Sequence, residues 1–432
     1  MKKVGKRFWL SIGLIILSIS IVACSGSKSN NDGPVTLTLL SHYVAANEEF
    51  IKPYIEQWNK ENPDIQVKLE GVEFDALLST IMTKQTSGQG ADIMHIYNLW
   101  AGQLDKNGVI ADAPDDVKDK VTANYPDAVV KGASVNGKIY GYPTEVQPFV
   151  LYYNKRLLNE KGYSNPPATW DEMLEMAKAI EQKDSSNNTK IQGFGFIRSW
   201  PAITYHPFLA LMGTAGGTFI EDGKVHLDSD AAKQTMELYS KVYGKNGITD
   251  IGVDVMKSFA VGQTAMAING GWWAGTLRDT MKEDYADIGT APIPSPDGKT
   301  KASIAYTWAW AVNKKSKHQE EAFKFLTWFN TQTIKNGMTA EGNFLLEAFN
   351  TLSTNKNDAQ SDAIKGKLEA DPNVSVITEA LEYAAPEPND AAGAEIQDIL
   401  FKQLDSMWSG QVTADEALLA AQQAIQSKLS GN

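Results

Sequence analysis

The chain has 432 residues, too many for one ordinary domain and in keeping with two or three. Hydrophobic residues make up 43% of it, enough for sizeable cores, which excludes a disordered polymer. The formal charge of −12 falls to about −16 once Lys2, Lys3, Lys6 and Arg7 leave with the leader, and so acidic a surface argues against nucleic acid as a partner. A single cysteine, Cys24, rules out an internal disulfide and a thiolate metal cluster, and eleven tryptophans bear on the ligand class.

Residues 1–24 read MKKVGKRFWLSIGLIILSISIVAC. A cationic start precedes an apolar stretch over 8–22, short of the roughly 20 residues that a helix needs to span a bilayer. It fits a secretory signal core, removed as residues 1–23. Ile21-Val22-Ala23-Cys24 resembles the lipobox of bacterial lipoproteins, with Ile where Leu is commoner. That resemblance implies diacylglycerol on the Cys24 sulfur and cleavage before it. More than one acyl chain would be needed, because a single chain holds a protein only marginally to a bilayer. An ordinary signal peptide with an incidental cysteine is the alternative. The polar residues that follow, to position 34, read as a flexible tether.

From Val35 the text changes. VTLTLLSHY alternates and carries β-branched residues, which predicts a strand. Residues 47–60 set Phe50, Tyr54, Ile55 and Trp58 at helical spacing, with Pro53 near the first turn, where a missing donor matters least. IQVKLEGV predicts a second strand, Phe74–Thr86 a second helix, and ADIMHIY a buried strand ending at 98–100. Such alternation points to a mostly parallel sheet covered by helices. In KIYGYPTEVQPFVLYYNKRLL the rhythm changes, two prolines bracketing 144–147. TWDEMLEMAKAIEQ reads as a helix capped by Thr169, with Glu172 in the capping-box position. FGFI, a helix over Asp230–Tyr243 and the strand TAMAING follow. Next come the proline-rich IGTAPIPSPDG, the strand YTWAWAVN, amphipathic helices over 318–329 and 395–407, and a closing helix in VTADEALLAAQQAIQSKL. No internal repeat is visible. Two α/β lobes joined by several crossovers is the simplest arrangement.

Taken together, several segments resemble the extracellular solute-binding proteins of carbohydrate ABC transporters, the maltodextrin-binding type included. They are SGQGADIMHIY, YGYPTEVQPFVLYYNKRLL, TWDEMLEMAKAI, GQTAMAINGGWW, APIPSPDGK, AVNKKSKHQEEAFKFLTWF and GQVTADEALLAAQQAI, in that order and spacing. The resemblance implies an α/β, two-lobed periplasmic-binding-protein-like (Venus flytrap) fold with discontinuous lobes and hinge crossovers. The first lobe would hold 35–145 and 291–335, and the second 148–288 and 336–432. Hinge strands would lie at 145–148 and 290–294, with a third crossing near 335. Prolines beside a hinge confine the torsional change to few bonds. The same resemblance implies a monomeric lipoprotein held by Cys24 to the outer face of the cytoplasmic membrane. It would capture a sugar, foremost an oligosaccharide, and pass it to ABC permease subunits, with no cofactor and no chemistry. Residues 339–346 depart from a Gly–x–x–Pro stretch common in such proteins, so nothing is carried over from that loop, Glu341 included.

A sugar has apolar C–H faces and a rim of hydroxyls. Binding it takes flat aromatic platforms and a few polar groups, placed at strand ends as in other open α/β sheets. Trp272 and Trp273 follow Asn269-Gly270-Gly271, where glycine lets the backbone turn tightly and approach a ligand. Trp272 matches a stacking tryptophan of the family motif, with core packing as the alternative. Trp308 and Trp310, two apart on a predicted strand, share a face with Tyr306 and serve either a cleft or a core. Trp100 sits just past a buried strand, with Tyr97 and Asn98 beside it. His42 and Tyr43 follow the first strand in what the resemblance makes a ligand loop. Tyr43 is the better ligand group, because a lone histidine is more often structural. Glu145 faces the cleft by resemblance or is a solvated carboxylate. Arg198-Ser199-Trp200 offers a guanidinium and a platform. Arg198 could bridge hydroxyls, hold a uronic acid bidentately, or pair with a neighbouring acid.

Other chemistries find less support. Residues 184–189 lack the glycine and the distal glutamate of a calcium loop, so no metal is expected. The five histidines form no H-x-x-x-H pair, and there is no G-x-S-x-G or P-loop. A polysaccharide-degrading surface lipoprotein would need two carboxyl groups placed about a bond, or a Tyr/Arg/His set. A polyol- or glycerol-phosphate-binding protein of the same fold and a cell-surface adhesin stay open beside it.

Overall fold

A computed structural model describes residues 33–243, 247–349 and 351–431. The leader, Cys24 and nearly all of the tether lie outside the described residues.

The first strand, β1 (Val35–Ser41), runs straight into α1 (His42–Glu61), because the Ser41 hydroxyl accepts the Tyr43 N–H at 2.9 Å and caps the helix. His42 and Tyr43 therefore stand on a helical turn and not in a loop. The expected helix start at Asn47 appears instead as a kink (φ −143°, ψ 34°), with Pro53 inside the segment beyond it. β2 (Ile65–Gly71), α2 (Phe74–Thr86), β3 (Ile93–Tyr97) and α3 (Asn98–Lys106) complete the parallel unit, β1 lying between β2 and β3. Next comes β4 (Gly141–Asn154), 14 residues long and almost wholly buried. The helix α4 (Trp170–Ile180) opens on the predicted capping box. Thr169 Oγ1 accepts the Glu172 N–H at 3.0 Å, and Glu172 Oε2 accepts the Thr169 N–H at 3.1 Å.

The other principal elements are β5 (Gln182–Lys183), β6 (Thr189–Gly195), α5 (Pro201–Thr214), α6 (Asp230–Tyr243), β7 (Thr264–Gly270) and α7 (Trp273–Met281). They are followed by β8 (Ile288–Ala291), β9 (Ser303–Val312), α8 (Gln319–Thr331), α9 (Ala340–Phe349), α10 (Pro372–Ala380), β10 (Ala384–Pro386), α11 (Gly393–Trp408) and α12 (Ala414–Leu429). In the ten-stranded sheet the order is β2-β1-β3-β9-β4-β7-β6-β5, with β8 on β4 and β10 on β9. Its centre is β4, which changes partners midway. Residues 141–148 pair with β9, while 149–154 pair with β7 and β8.

Each half of the sheet has its own core. Around β1 and β3, Leu37, Trp58, Trp310 and Phe325 pack in one cluster and Leu40, Ile96, Trp100 and Trp308 in another. Around β7, the core contains Phe149, Tyr152, Phe194, Phe208, Tyr239 and Trp273. Ile293 and Ile304 belong to this second core and Ala305 to the first. The second change of core thus falls within β9, some way past the expected 290–294, because β8 stays paired to β4. Ala340, Phe344 and Leu345 pack in the first core, so α9 lies on the first side of the passage expected near 335. At 184–189 the Asp184 carboxylate is taken up by a turn, Oδ1 accepting the N–H groups of Ser186 and Asn188. Among the described residues no group of acidic, histidine or cysteine side chains could hold a metal, and no helix is long and apolar enough to cross a membrane.

Candidate functional site

A cavity of about 480 Å³ opens between the two halves, at the point where β4 changes partners. The first half lines it with His42, Tyr43, Phe74, Tyr97, Trp308 and Phe349, and the second with Trp200, Ile203, His206 and Trp272. From the strands that pass between the halves come Glu145, Gln147, Phe149 and Tyr306.

Local sequence explains these positions. Trp272 is the residue before α7, and a Cβ on Gly270 would lie 2.7 Å from its indole Nε1. Glycine there lets the ring lie over the strand end. Trp200 precedes α5 in extended conformation (φ −155°, ψ 162°), with Pro201 as the first helical residue. The two indoles stand 6.5 Å apart at 37°. On the first side the His95 ring stacks on His42 (5.3 Å, 14°) and on Trp308 (4.7 Å, 26°). Tyr43 leans on His95 at 4.2 Å. Aromatic faces therefore come from both sides.

The polar groups are few and buried. Glu145, 5% exposed, accepts from the Thr144 hydroxyl at 2.6 Å and bonds with the Tyr43 hydroxyl. Burial pushes its carboxyl up, and burial followed by the nearby Glu145 pushes the Tyr43 phenol well above its usual value. Burial lowers the His42 imidazole to about 3 and holds His95 well below its usual value, so both are neutral. Behind Trp308, the Trp310 indole N–H donates to Glu341 Oε2 at 2.9 Å, and burial pushes that carboxyl well up. Tyr97, His206 and Glu387 form a closed triangle. The Tyr97 hydroxyl donates to Glu387 Oε1 at 2.6 Å, and His206 Nε2 lies 2.8 Å from the same oxygen and 2.9 Å from the hydroxyl.

Eight residues named from the sequence meet at this cleft: His42, Tyr43, Tyr97, Glu145, Trp200, Trp272, Tyr306 and Trp308. Five others do not line it. Trp273, 1% exposed, begins α7 and packs on Tyr152 and Phe259 in the core. Trp100 lies on α3 between Phe74 and Trp308, backing the cleft wall. Asn98 opens that helix and accepts the Thr307 N–H at 3.1 Å, beside a register irregularity of β9. Arg198 pairs with Asp405 and lies 5.2 Å over the Trp408 ring, the ion-pair alternative. Trp308 and Trp310 both pack on His95, yet only Trp308 reaches the cavity.

Phe74, Gln147, Phe149, His206 and Phe349 also line the cleft, and none belongs to the ligand groups predicted from the sequence. Gln147 alone left a signal, standing two residues after Glu145 and so on the same face of the strand. His206 sits inside an almost wholly buried helix, where a lone histidine looks structural.

Two α/β halves on one sheet, joined through shared strands with an aromatic cleft between them, define a two-lobed binding protein of the periplasmic type. The chain belongs to the family described as bacterial extracellular solute-binding protein, whose model matches residues 45–335. It is similar to the maltodextrin-binding protein MdxE of Bacillus subtilis, 26% identical with 98% of each chain covered. A maltooligosaccharide ABC transporter solute-binding lipoprotein of Streptococcus pneumoniae is 25% identical over 96% of each. In fold it is similar to an ABC transporter solute-binding protein of Thermotoga lettingae solved with α-D-tagatose. That match has a TM-score of 0.79 and 23% identity, covering 91% of this chain and 100% of the other.

Proposed function

We propose that this protein captures a neutral sugar, foremost an oligosaccharide such as a maltodextrin, between its lobes and passes it unchanged to the permease of an ABC importer. The observation that carries this is the aromatic cleft, with Trp200 and Trp272 on one side and Trp308 and Tyr43 on the other. Such faces cover the apolar C–H surfaces of a pyranose, while Glu145 and Gln147 meet its hydroxyls. A sugar touching both lobes binds their closed arrangement better than the open one, and that difference in affinity drives closure. The strands 145–148 and 304–306 serve as hinges. A lipid on Cys24 and the tether keep the monomer beside its permease at the outer face of the membrane.

The same cleft bears on the alternatives. Among the described residues that line it are three carboxylates, Glu73, Asp75 and Glu145, and no lysine or arginine. A glycerol phosphate or a uronic acid would find no counter-charge there. All three acids come from the first lobe or β4, and glycosidic cleavage would ask for two of them to flank a bond at a set separation.

Calorimetric titration with maltotriose, galacturonic acid and glycerol 3-phosphate tests the reading, alongside small-angle scattering and chromatography of the recovered ligand. Binding of maltotriose alone, with a smaller radius of gyration and unchanged sugar, is expected. Preference for either anion would remove the neutral-sugar reading, and a cleaved product would make the protein an enzyme.

A further inference from the structure

Behind the cleft runs a buried chain of polar side chains: His95 on β3, Thr144 and Glu145 on β4, and Tyr43 on α1. Each is 5% exposed or less. The Thr144 hydroxyl donates to Glu145 Oε2 at 2.6 Å, and His95 Nε2 lies 3.1 Å from that hydroxyl. A hydroxyl has one proton to give. With it directed at the carboxylate, the Thr144 oxygen can only accept, so His95 carries its hydrogen on Nε2 and has a bare Nδ1. Consistent with this, Nδ1 has no hydrogen-bond partner among the described residues. The imidazole cannot easily turn, because Trp308, Trp310 and His42 pack on it at 4.7, 4.3 and 5.3 Å.

We propose that His95 and Thr144 are positioning residues for Glu145: they hold its carboxylate ionised and oriented, so that its remaining lone pairs accept hydroxyl hydrogens from the bound sugar. This rests on the reading of the cleft as a sugar site. The titratable groups facing the chain are Tyr43 from α1, His42 beside it, Tyr306 from β9 and Glu341 from α9. None of these is a cation at neutral pH, since both histidines are neutral. Burial works against the Glu145 charge, and the hydroxyls of Thr144 and Tyr43 work for it. Removing the Thr144 donor therefore moves protonation of Glu145 to higher pH. Protonation then takes away an acceptor, and sugar affinity falls on the acid side.

The test uses the full chain and the variants Thr144→Val, Thr144→Ser and Glu145→Gln. Nitrogen-15 NMR of the imidazoles should show hydrogen on Nε2 of His95, and hydrogen on Nδ1 would overturn the proposal. Carbon-13 titration of glutamate carboxyls, with Glu145 assigned by its loss in Glu145→Gln, should give a higher midpoint in Thr144→Val and near-recovery in Thr144→Ser. An unchanged midpoint in the valine variant also overturns it. With maltotriose as probe, Thr144→Val should bind about tenfold more weakly at neutral pH, with the loss growing as pH falls and serine restoring most of it. If the parent chain binds maltotriose and the valine variant matches it at every pH, the positioning role fails while the sugar site stands. If maltotriose does not bind the parent, the maltodextrin reading fails, and the two NMR measurements still decide the role of His95 and Thr144.

Discussion

Trp200 and Trp272 stand 6.5 Å apart at 37° on one wall of the cleft, each at the N-terminal end of a helix and neither in the core of its lobe. Removing either ring should cost binding far more than folding. Trp272→Ala is expected to weaken maltotriose binding by about 2 kcal/mol or more, with a thermal midpoint close to that of the parent. Unchanged affinity in calorimetry would leave the pair with no role in capture.

Arg198 predicts the opposite pattern. Its guanidinium is engaged by Asp405 and the Trp408 ring, both in the second lobe and away from the cavity lining. Arg198→Ala should leave sugar affinity within twofold. Because the pair is partly exposed, urea unfolding should show a loss of about 1 kcal/mol or less. A large affinity loss would return Arg198 to the site.

Glu341 lies buried with its carboxyl pushed well above the ordinary value of 4.5 by burial. The sign follows from linkage. Above pH 4.5 the unfolded chain releases this proton while the folded one keeps it, so this group's contribution to stability falls as pH rises. Gln at 341 can still accept from the Trp310 indole but has no proton to lose. The stability of Glu341→Gln relative to the parent should therefore rise by about 1.4 kcal/mol per pH unit upward from 4.5, until the folded carboxyl ionises. Parallel urea-denaturation profiles between pH 4.5 and 6.5 would mean that Glu341 is ionised in the fold.

The triangle of Tyr97, His206 and Glu387 ties β3, α5 and the segment after β10 together at the cleft wall. Glu387→Ala leaves a buried phenol and a buried imidazole without their common acceptor. The expected loss is about 1–3 kcal/mol in chemical denaturation, with Tyr97→Phe costing less. A change inside experimental error would mean that water replaces the carboxylate at no cost.

Cys24 should carry lipid. Mass spectrometry of the native membrane fraction is expected to find an acylated N-terminal cysteine, and Cys24→Ala should release the protein from the membrane. A mature chain that begins downstream of Cys24 without acyl mass would contradict this.

Much of the architecture was legible in the residues. Alternation located β1, the short apolar run ADIMHIY located β3 as a buried strand, and Thr169 with Glu172 marked the start of α4. Helical onset was harder to see, because Ser41 caps α1 directly after a strand and the only strong periodicity begins beyond the kink at Asn47. At the site, adjacency is the difficulty. Trp272 and Trp273 look alike in sequence, and only the turn into α7 sends one ring to the cleft and the other into the core. Arg198 was ambiguous because its partner, Asp405, lies 207 positions away. Phe74 and Phe349 carried no mark at all, since an aromatic ring facing a cavity has the same sequence signature as one facing a core.

The strand β4 has a further consequence for anyone redesigning this protein. Glu145 and Gln147 lie on the stretch that pairs with β9, just before pairing passes to β7 and β8. On the proposed function, the side chains that would meet the solute thus belong to the same backbone bonds that would set the angle between the lobes. Selectivity altered there would then carry a mechanical side effect, changing how often the empty protein would present itself shut to a permease. The helix-end rings Trp200 and Trp272 lie off that strand, so on the same proposal they are where a new solute preference would be written without retuning the swing of the trap.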